Sequence, residues 1–160
     1  PHARVVVGGT REAAEAFLGR PVEREVEVSL AGRLERRGDE VWDGAHTADA
    51  VDWLLARLPR REHVLCVSVL ADKDVDGMLA RLAGAGRTLV ATRSSNPRAL
   101  AAEDVAGRAR RHFDRVEALA DPVGALERAR ELAGPAGAVL VTGSLYLLAD
   151  LFNRQEERVP

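Results

Sequence analysis

The stretch HVLCVSVL, residues 63–70, is apolar almost throughout, and this character decides the fold. A strand that packs against helices on both faces needs apolar side chains on both faces, whereas a half-exposed strand alternates with polar residues. The run AVLVTGS at 138–144 is similar. Both runs therefore predict buried strands in the interior of a parallel sheet.

Amphipathic segments with a helical period separate these strands from their neighbours along the chain. Strands are predicted at VWD (41–43), 63–70, RTLVAT (87–92), FDRVEAL (113–119) and 138–144. Helices are predicted at 47–58, capped by Thr47, and at 75–83, 100–113, 122–133, capped by Asp121, and 145–152. This alternation predicts an α/β, Rossmann-like three-layer domain with a mostly parallel sheet of about five or six strands.

Residues 1–30 fit the alternation less well. ARVVVGG (3–9) and EREVEVSL (23–30) could be strands, and REAAEAFLGR (11–20) a short helix. We expect residues 1–30 to be a linker or the tail of a preceding central domain, and residues 31–160 to be the α/β domain. Because Pro1 is not a translation start, we expect the chain to have been processed or to be a fragment.

Composition and charge exclude several classes of function. The 160 residues carry a formal net charge of −2, so no global basic field draws the chain to nucleic acid or to an anionic membrane. No stretch reaches the roughly 18–20 apolar residues that a membrane-spanning helix needs. The single cysteine, Cys66, lies in an apolar run, which predicts a buried thiol and a cytoplasmic location.

Polar residues gather directly after the predicted strands. They form the segments DGAH (43–46), ADKD (71–74), TRSSNPR (92–98) and TGS (142–144). Because ligands of open parallel sheets bind outside the carboxyl ends of the strands, we expect all four segments at one edge. Their carboxylates, cations and helix N-termini suit an anionic or zwitterionic ligand.

Each of these residues also has a purely structural interpretation. Asp43 could cap a turn and Ser144 could cap the last helix. His46 could be a surface or helix-entry residue, Lys73 and its neighbouring acids a solvated loop, and Asn96–Arg98 only a turn. His63 and His112 are expected at the surface. The sequence has no histidine and cysteine spacing typical of a metal site, no GxSxG, no GxGxxG after the first strand, and no Walker A lysine motif.

Taken in order, four segments carry a resemblance to a known family. GRLERRGDEVWDGAH (32–46), LADKD (70–74), SSNPRAL (94–100) and VTGSLYLL (141–148) resemble the C-terminal domain of folylpolyglutamate synthase/dihydrofolate synthase, in the Mur ligase superfamily. REAAEAFLGRPVE (11–23) resembles the last helix of that family's central domain. The resemblance implies an ATP-dependent ligase that activates a carboxylate as an acyl phosphate, which the amine of L-glutamate then attacks.

The resemblance also implies roles for individual residues. Arg33 and Asp43 match positions that contact ATP, and His46 and Lys73 match positions near the reacting groups. His46, Arg98 and Ser144 match positions that bind glutamate. Dihydropteroate or a reduced folate would be the acceptor. ATP and Mg²⁺ would be held mainly by the missing P-loop domains, so the chain alone would be inactive, and the enzyme would be a cytoplasmic monomer.

The chain departs from the family pattern after His46. The family usually has DGAHNP, whereas this chain has DGAHTA, with Thr47 and Ala48 in the last two places. Threonine there resembles the cell-wall peptide ligases of the same superfamily. A UDP-muramoyl-peptide ligase therefore remains an alternative, as does a stand-alone, non-catalytic nucleotide-binding module.

Overall fold

The computed structural model describes residues 15, 19 and 32–156. Contacts divide the chain into two units, Pro1–Leu30 and Ala31–Pro160, and every element below lies in the second unit. The strands predicted at 3–9 and 23–30 lie outside the described residues. Of the helix predicted at 11–20, only Glu15, which is helical, and Gly19, whose N–H donates to the Glu15 carbonyl, are described.

The second unit alternates strands and helices as the sequence predicts. The strands are β1 (Glu35–Arg37), β2 (Glu40–Trp42), β3 (His63–Val67), β4 (Thr88–Ala91), β5 (Arg115–Ala118) and β6 (Ala138–Thr142). The helices are α1 (Ala48–Leu55), α2 (Val75–Leu82), α3 (Ala102–Ala109), α4 (Pro122–Ala133) and α5 (Leu145–Glu156). None of these described helices is long and apolar enough to cross a membrane.

The strands form one sheet in the order β1-β2-β6-β3-β4-β5. β2, β6, β3, β4 and β5 all run parallel, and only β1 is antiparallel to its neighbour. β6, the last strand in sequence, is inserted between β2 and β3. The prediction of a mostly parallel sheet of five or six strands is confirmed.

Side chains alternate between two cores, one on each face of the sheet. Val41, Leu65 and Leu89 pack in one core with residues of α1, α2 and α3. Trp42 and Cys66 pack in the other core with residues of α4 and α5. This alternation makes the three layers. Cys66 is fully buried, as predicted, and its burial raises the pKa of the thiol to about 12.

Strand β1 is the element that the sequence analysis missed. It pairs with β2 through a two-residue turn, Gly38–Asp39, in which Gly38 has φ of +60°. Type II′ hairpin turns place glycine at that first position. The strand is polar, and it is held by Arg37, whose guanidinium lies 4.4 Å from the centroid of the Trp42 ring.

Helices α1 and α4 begin directly after their predicted capping residues. The Thr47 hydroxyl accepts from the Ala50 N–H at the start of α1, and the Asp121 carboxylate accepts from the Gly124 N–H at the start of α4. Asp74 caps α2 in the same way. The first predicted helix, 47–58, is shorter in the structure and ends at Leu55.

The prediction that His63 lies at the surface is wrong, whereas His112 is exposed as predicted. His63 is the first residue of β3 and only 1% exposed. The period of the strand places it on the face of Leu65, which lies under α1 and α2. Burial disfavours the imidazolium and lowers the pKa of His63 below its ordinary value of 6.5.

We expect this burial to make stability depend on pH. The unfolded chain takes up a proton at His63 near pH 6.5, whereas the folded chain does so only at lower pH. The free energy of unfolding should therefore fall as the pH is lowered from 7.5 to 5.5, by at most ~1.4 kcal/mol per pH unit from this residue. Urea unfolding at several pH values should show a shallower dependence for His63→Leu and an unchanged one for His112→Gln. An equal pH dependence of the free energy of unfolding in the parent chain and both variants would contradict the assignment of this effect to His63.

The turn after β6 requires glycine at position 143. Gly143 has φ of +96°, and a Cβ built on it would lie 2.5 Å from the Ser68 carbonyl oxygen. Gly143→Ala should therefore destabilise the fold by about 2–4 kcal/mol, because it combines a strained φ with a backbone clash.

Gly107→Ala is the matched control, because that glycine lies within α3 with nothing within 4 Å of a built Cβ. Alanine should stabilise a helix interior by up to ~1 kcal/mol. Thermal unfolding of both variants checks the pair. A Gly143→Ala protein as stable as the parent would show that the turn relaxes freely.

Candidate functional site

The four polar segments follow parallel strands that are consecutive neighbours in the sheet. DGAH follows β2, TGS contains the end of β6, and the segments 71–74 and 92–98 come after β3 and β4. Because these strands run parallel, their carboxyl ends lie at one edge. The candidate residues therefore follow the order of the strands along this edge. Neighbouring strands lie about 4.8 Å apart.

The Asp43 carboxylate is buried and fully engaged with backbone. The residue is 2% exposed. Its Oδ2 accepts from the Leu34 N–H at 2.8 Å, and its Oδ1 accepts from the Ala45 N–H at 2.8 Å. Asp43 thus joins the GRLE segment to the turn after β2. In this structure the carboxylate supports two loops.

The segment that carries Arg33 is held in an unusual conformation. Gly32 and Leu34, on either side of Arg33, have φ of +71° and +46°. The positive φ at Leu34 costs roughly 1–2 kcal/mol, since it brings Cβ close to the backbone. Hydrogen bonds from the Gly44 N–H to the Gly32 carbonyl, 2.9 Å, and from the Leu34 N–H to Asp43 hold it. Arg33 itself is exposed and has no hydrogen bond or ion pair within the described part of the chain.

His46 is oriented by the turn that contains it. Its Nδ1 lies 2.8 Å from the Gly44 carbonyl oxygen. A carbonyl can only accept, so Nδ1 carries the hydrogen and donates. The ring is half-buried, and its Nε2 is left as an acceptor in the neutral form or as a second donor in the cation. His46 is therefore placed to orient or neutralise an anionic group.

Lys73 and Arg98 converge on one carboxylate. The Lys73 Nζ lies 3.6 Å from Asp72 Oδ2, and the Arg98 Nη1 lies 3.3 Å from the same oxygen. The side chain of Lys73 is 27% exposed and that of Arg98 is 59% exposed. Two residues predicted from separate segments are thus brought together by Asp72, which the sequence analysis did not single out.

The backbone holds this pair of loops together. The Ala71 N–H donates to the Arg98 carbonyl at 2.8 Å, and the Arg98 N–H donates to the Asn96 side-chain oxygen at 2.9 Å. Leu70 and Ala99 form an isolated antiparallel bridge. The Asn96–Arg98 segment is therefore a turn, as its structural interpretation predicts, and it also docks onto the loop that carries Lys73.

Ser144 is a helix cap in the structure. It is 1% exposed, and its Oγ accepts from the Tyr146 N–H at 3.1 Å at the start of α5. Among residues 32–156, no hydrogen bond or ion pair joins Ser144 or His46 to Lys73 or Arg98. The structure thus brings Asp43 to the loop of Arg33, and Lys73 to Arg98, as two separate groups along one edge.

Asp150 is a second residue that the sequence analysis missed. It lies on α5, and its carboxylate accepts from both the N–H and the hydroxyl of Ser95, at 2.7 and 2.6 Å. These bonds fix the start of the SSNPR loop to α5. The two residues are 55 positions apart, so no local pattern in the sequence could have paired them.

The described residues do not assemble a metal site of their own. No group of three or more histidine, cysteine, aspartate or glutamate side chains is arranged to hold an ion in the part of the chain that the structure covers. Asp43, Asp72 and Asp150 are each engaged with backbone or side-chain donors. The carboxylates at this edge therefore act as supports for loops.

Three comparisons place the chain among known proteins. It is 33% identical over 145 residues to dihydrofolate synthase/folylpolyglutamate synthase of Mycobacterium tuberculosis, covering 79% of this chain and 30% of that protein. It is also similar to a folylpolyglutamate synthase of M. tuberculosis solved with ADP and AMPPCP, with a TM-score of 0.74 and 31% identity over 92% of this chain and 38% of the other.

The chain is also similar to E. coli FolC solved in complex with DHPP and ADP, with a TM-score of 0.72 and 26% identity. That match covers 82% of this chain and 32% of the FolC chain. The chain thus spans about a third of the length of these relatives. Residues 32–145, most of the chain, match the family described as Mur ligase, glutamate ligase domain. These matches confirm the resemblance to the C-terminal domain of folylpolyglutamate synthases, and the chain belongs to the Mur ligase glutamate ligase domain family.

Proposed function

We propose that this chain is the C-terminal part of an ATP-dependent ligase that adds L-glutamate to the carboxylate of a dihydropteroate or folate. The observation that carries the proposal is the convergence of Lys73 and Arg98 on one carboxylate, at the sheet edge that also holds Arg33 and His46. The remainder of the enzyme, including the P-loop domain, would come from the longer protein. The chain alone would then be inactive.

Arg33 is the residue best placed to contact a nucleotide. It is exposed and unpaired within the described residues, and it projects from a loop whose positive φ values are held by Asp43. A guanidinium is a rigid multiple donor that suits phosphate oxygens or the edge of a nucleotide. Asp43 would then serve ATP binding as the support of this loop. A direct contact with ribose hydroxyls would require the carboxylate to give up its present partners.

Lys73 and Arg98 would hold the carboxylates of the incoming glutamate. A substrate carboxylate placed between the two cations would receive charge-assisted hydrogen bonds, which are the strong ones. When bound, ATP supplies the phosphoryl group that activates the acceptor carboxylate as an acyl phosphate. The Nε2 of His46 could orient or neutralise a glutamate carboxylate. Ser144 would act mainly through α5, because its hydroxyl already caps that helix.

Holding the amine close to the activated carboxylate would supply much of the rate by proximity. The Mg²⁺ that such chemistry uses would be bound mainly by the other domains. We further propose that residues 1–30 are the tail of a preceding domain, and that the whole enzyme is a cytoplasmic monomer. These assignments follow from the family resemblance.

The structure gives Thr47 a local role that bears on the muramoyl-peptide alternative. Its hydroxyl caps α1, and threonine is among the residues that cap helices well. Capping gives Thr47 a structural role that requires no change of substrate. The similarity to folylpolyglutamate synthases favours the dihydropteroate or folate acceptor over the muramoyl peptide.

The test is ATP-dependent incorporation of labelled L-glutamate by the complete protein that contains this segment. Dihydropteroate, a reduced folate and a muramoyl dipeptide would be offered separately. We expect incorporation with one of the pterins and its loss in Lys73→Met and His46→Ala. Incorporation with the muramoyl dipeptide alone would replace the proposed acceptor. A folded, ATP-binding protein that uses none of the three would support the non-catalytic module.

Arg98→Gln should raise the KM for L-glutamate in that assay by roughly 10- to 100-fold. The substitution removes a charge-assisted hydrogen bond worth about 1.5–3 kcal/mol. Arg87→Gln is the control, because Arg87 is also exposed and also paired with an aspartate, Asp114, at 2.7 Å. Its KM should not change. A similar rise in both variants would point to a general electrostatic effect.

Arg33→Gln should raise the KM for ATP by a similar factor and leave the KM for L-glutamate nearly unchanged. Arg33 lies on the loop that precedes β1, whereas Lys73 and Arg98 lie on the loops that follow β3 and β4. A change at Arg33 should therefore leave the contacts of the Lys73–Arg98 pair intact. Arg36→Gln, an exposed arginine on β1, is the matched control. Steady-state kinetics with each substrate varied in turn would separate the two effects. An unchanged KM for ATP in Arg33→Gln would remove Arg33 from the nucleotide site.

A further inference from the structure

A cleft of about 330 Å³ lies beside the SSNPR loop, between the start of α4 and the last turns of α5. Its volume lies within the range of small-molecule sites. The polar residues that line it are Arg93, Ser95, Asp121, Asp150, Asn153 and Arg154. None of them has a role in the proposed reaction, and three of them follow residue 145, where the family match ends.

The cleft contains two guanidiniums that are not engaged elsewhere. Arg93 and Arg154 are exposed, and neither has a hydrogen bond or ion pair within the described residues. Many other arginines of the domain are paired, as Arg87 is with Asp114 and Arg81 with Asp52. Two unpaired guanidiniums lining one cleft are suited to carboxylate groups, which they can bind bidentately.

The acids of the cleft restrict the ligand further. Both oxygens of Asp150 accept from Ser95, and Asp121 Oδ2 accepts from the Gly124 N–H at 2.7 Å. Asp121 Oδ1 remains as an acceptor. Two acids beside two guanidiniums disfavour a bare polyanion such as phosphate. They favour a ligand that presents carboxylates to the arginines and an N–H to Asp121.

We propose that this cleft is a subsite for a glutamyl group, distinct from the Lys73–Arg98 pair. A glutamyl unit has the required chemistry, because it carries a carboxylate together with an amide or ammonium N–H. The group could come from free L-glutamate or from a γ-linked glutamyl chain. The choice of ligand rests on the proposed function, whereas the position of the site rests on the cleft and its unpaired arginines.

The test is an NMR titration of the ¹⁵N-labelled chain with a γ-linked triglutamate peptide. Arginine Nε–Hε signals and the amides of Ser95, Val123 and Asn153 report on the cleft. Parallel titrations with L-glutamate and with inorganic phosphate are run at matched ionic strength. We expect saturable shifts at the cleft, and about tenfold weaker binding in Arg93→Gln and in Arg154→Gln. Arg110→Gln, an exposed arginine outside the cleft, should bind like the parent chain.

The outcomes separate the possible sources of the ligand and the possible failures. Tighter binding of the peptide assigns a glutamyl chain, and equal binding of peptide and L-glutamate assigns the single amino acid. Three results would each overturn the subsite. Phosphate could bind at least as tightly as the peptide, the shifts could be confined to Lys73 and Arg98, or Arg110→Gln could weaken peptide binding as much as the cleft variants do. Glutamate incorporation by the complete protein is measured separately. An empty cleft in an active ligase overturns only the subsite, and an inactive ligase whose cleft binds the peptide overturns only the proposed function.

Discussion

The buried carboxylate of Asp43 is the constraint on which the candidate site depends. A charge that is 2% exposed must be compensated by donors, or it costs several kcal/mol. Its donors are the N–H groups of Leu34 and Ala45, which belong to two segments on opposite sides of a hairpin. The same bonds hold Leu34 at a positive φ and so fix the loop from which Arg33 projects. GRLE and DGAH, which the sequence presents as two motifs, are therefore one structural unit.

The parts of the fold that could be predicted from the sequence are those with local causes. Continuous apolar runs identified β3 and β6, because both faces of these strands are covered. Thr47 and Asp121 were identified as caps, because a capping side chain bonds to an N–H only three residues away. The shared edge of the four polar segments followed from the parallel direction of the strands alone. What each side chain does at that edge could not be derived in this way.

The features that the sequence did not reveal depend on partners far along the chain. Strand β1 has no apolar alternation, and it forms because β2 lies beside it and Arg37 stacks on Trp42. His63 follows a polar loop and looked exposed, but it begins a strand that α1 and α2 cover. Asp72 and Asp150 gain their roles from Arg98 and Ser95, which are 26 and 55 residues away. Single-sequence patterns cannot report such contacts.

The sheet order also sets the distance between the two groups of candidate residues. Asp43 and the loop of Arg33 lie at the end of β2, whereas the loop of Lys73 follows β3, and β6 lies between the two strands. Two strand spacings amount to roughly 10 Å. β6 keeps the two strands apart, because it pairs in parallel with β2 on one side and with β3 on the other. Arg33 and Lys73 are therefore suited to different parts of an extended set of ligands, such as a nucleotide at one end and an amino acid at the other. If the proposed function is correct, this geometry would let the domain position a nucleotide and an amino acid relative to each other.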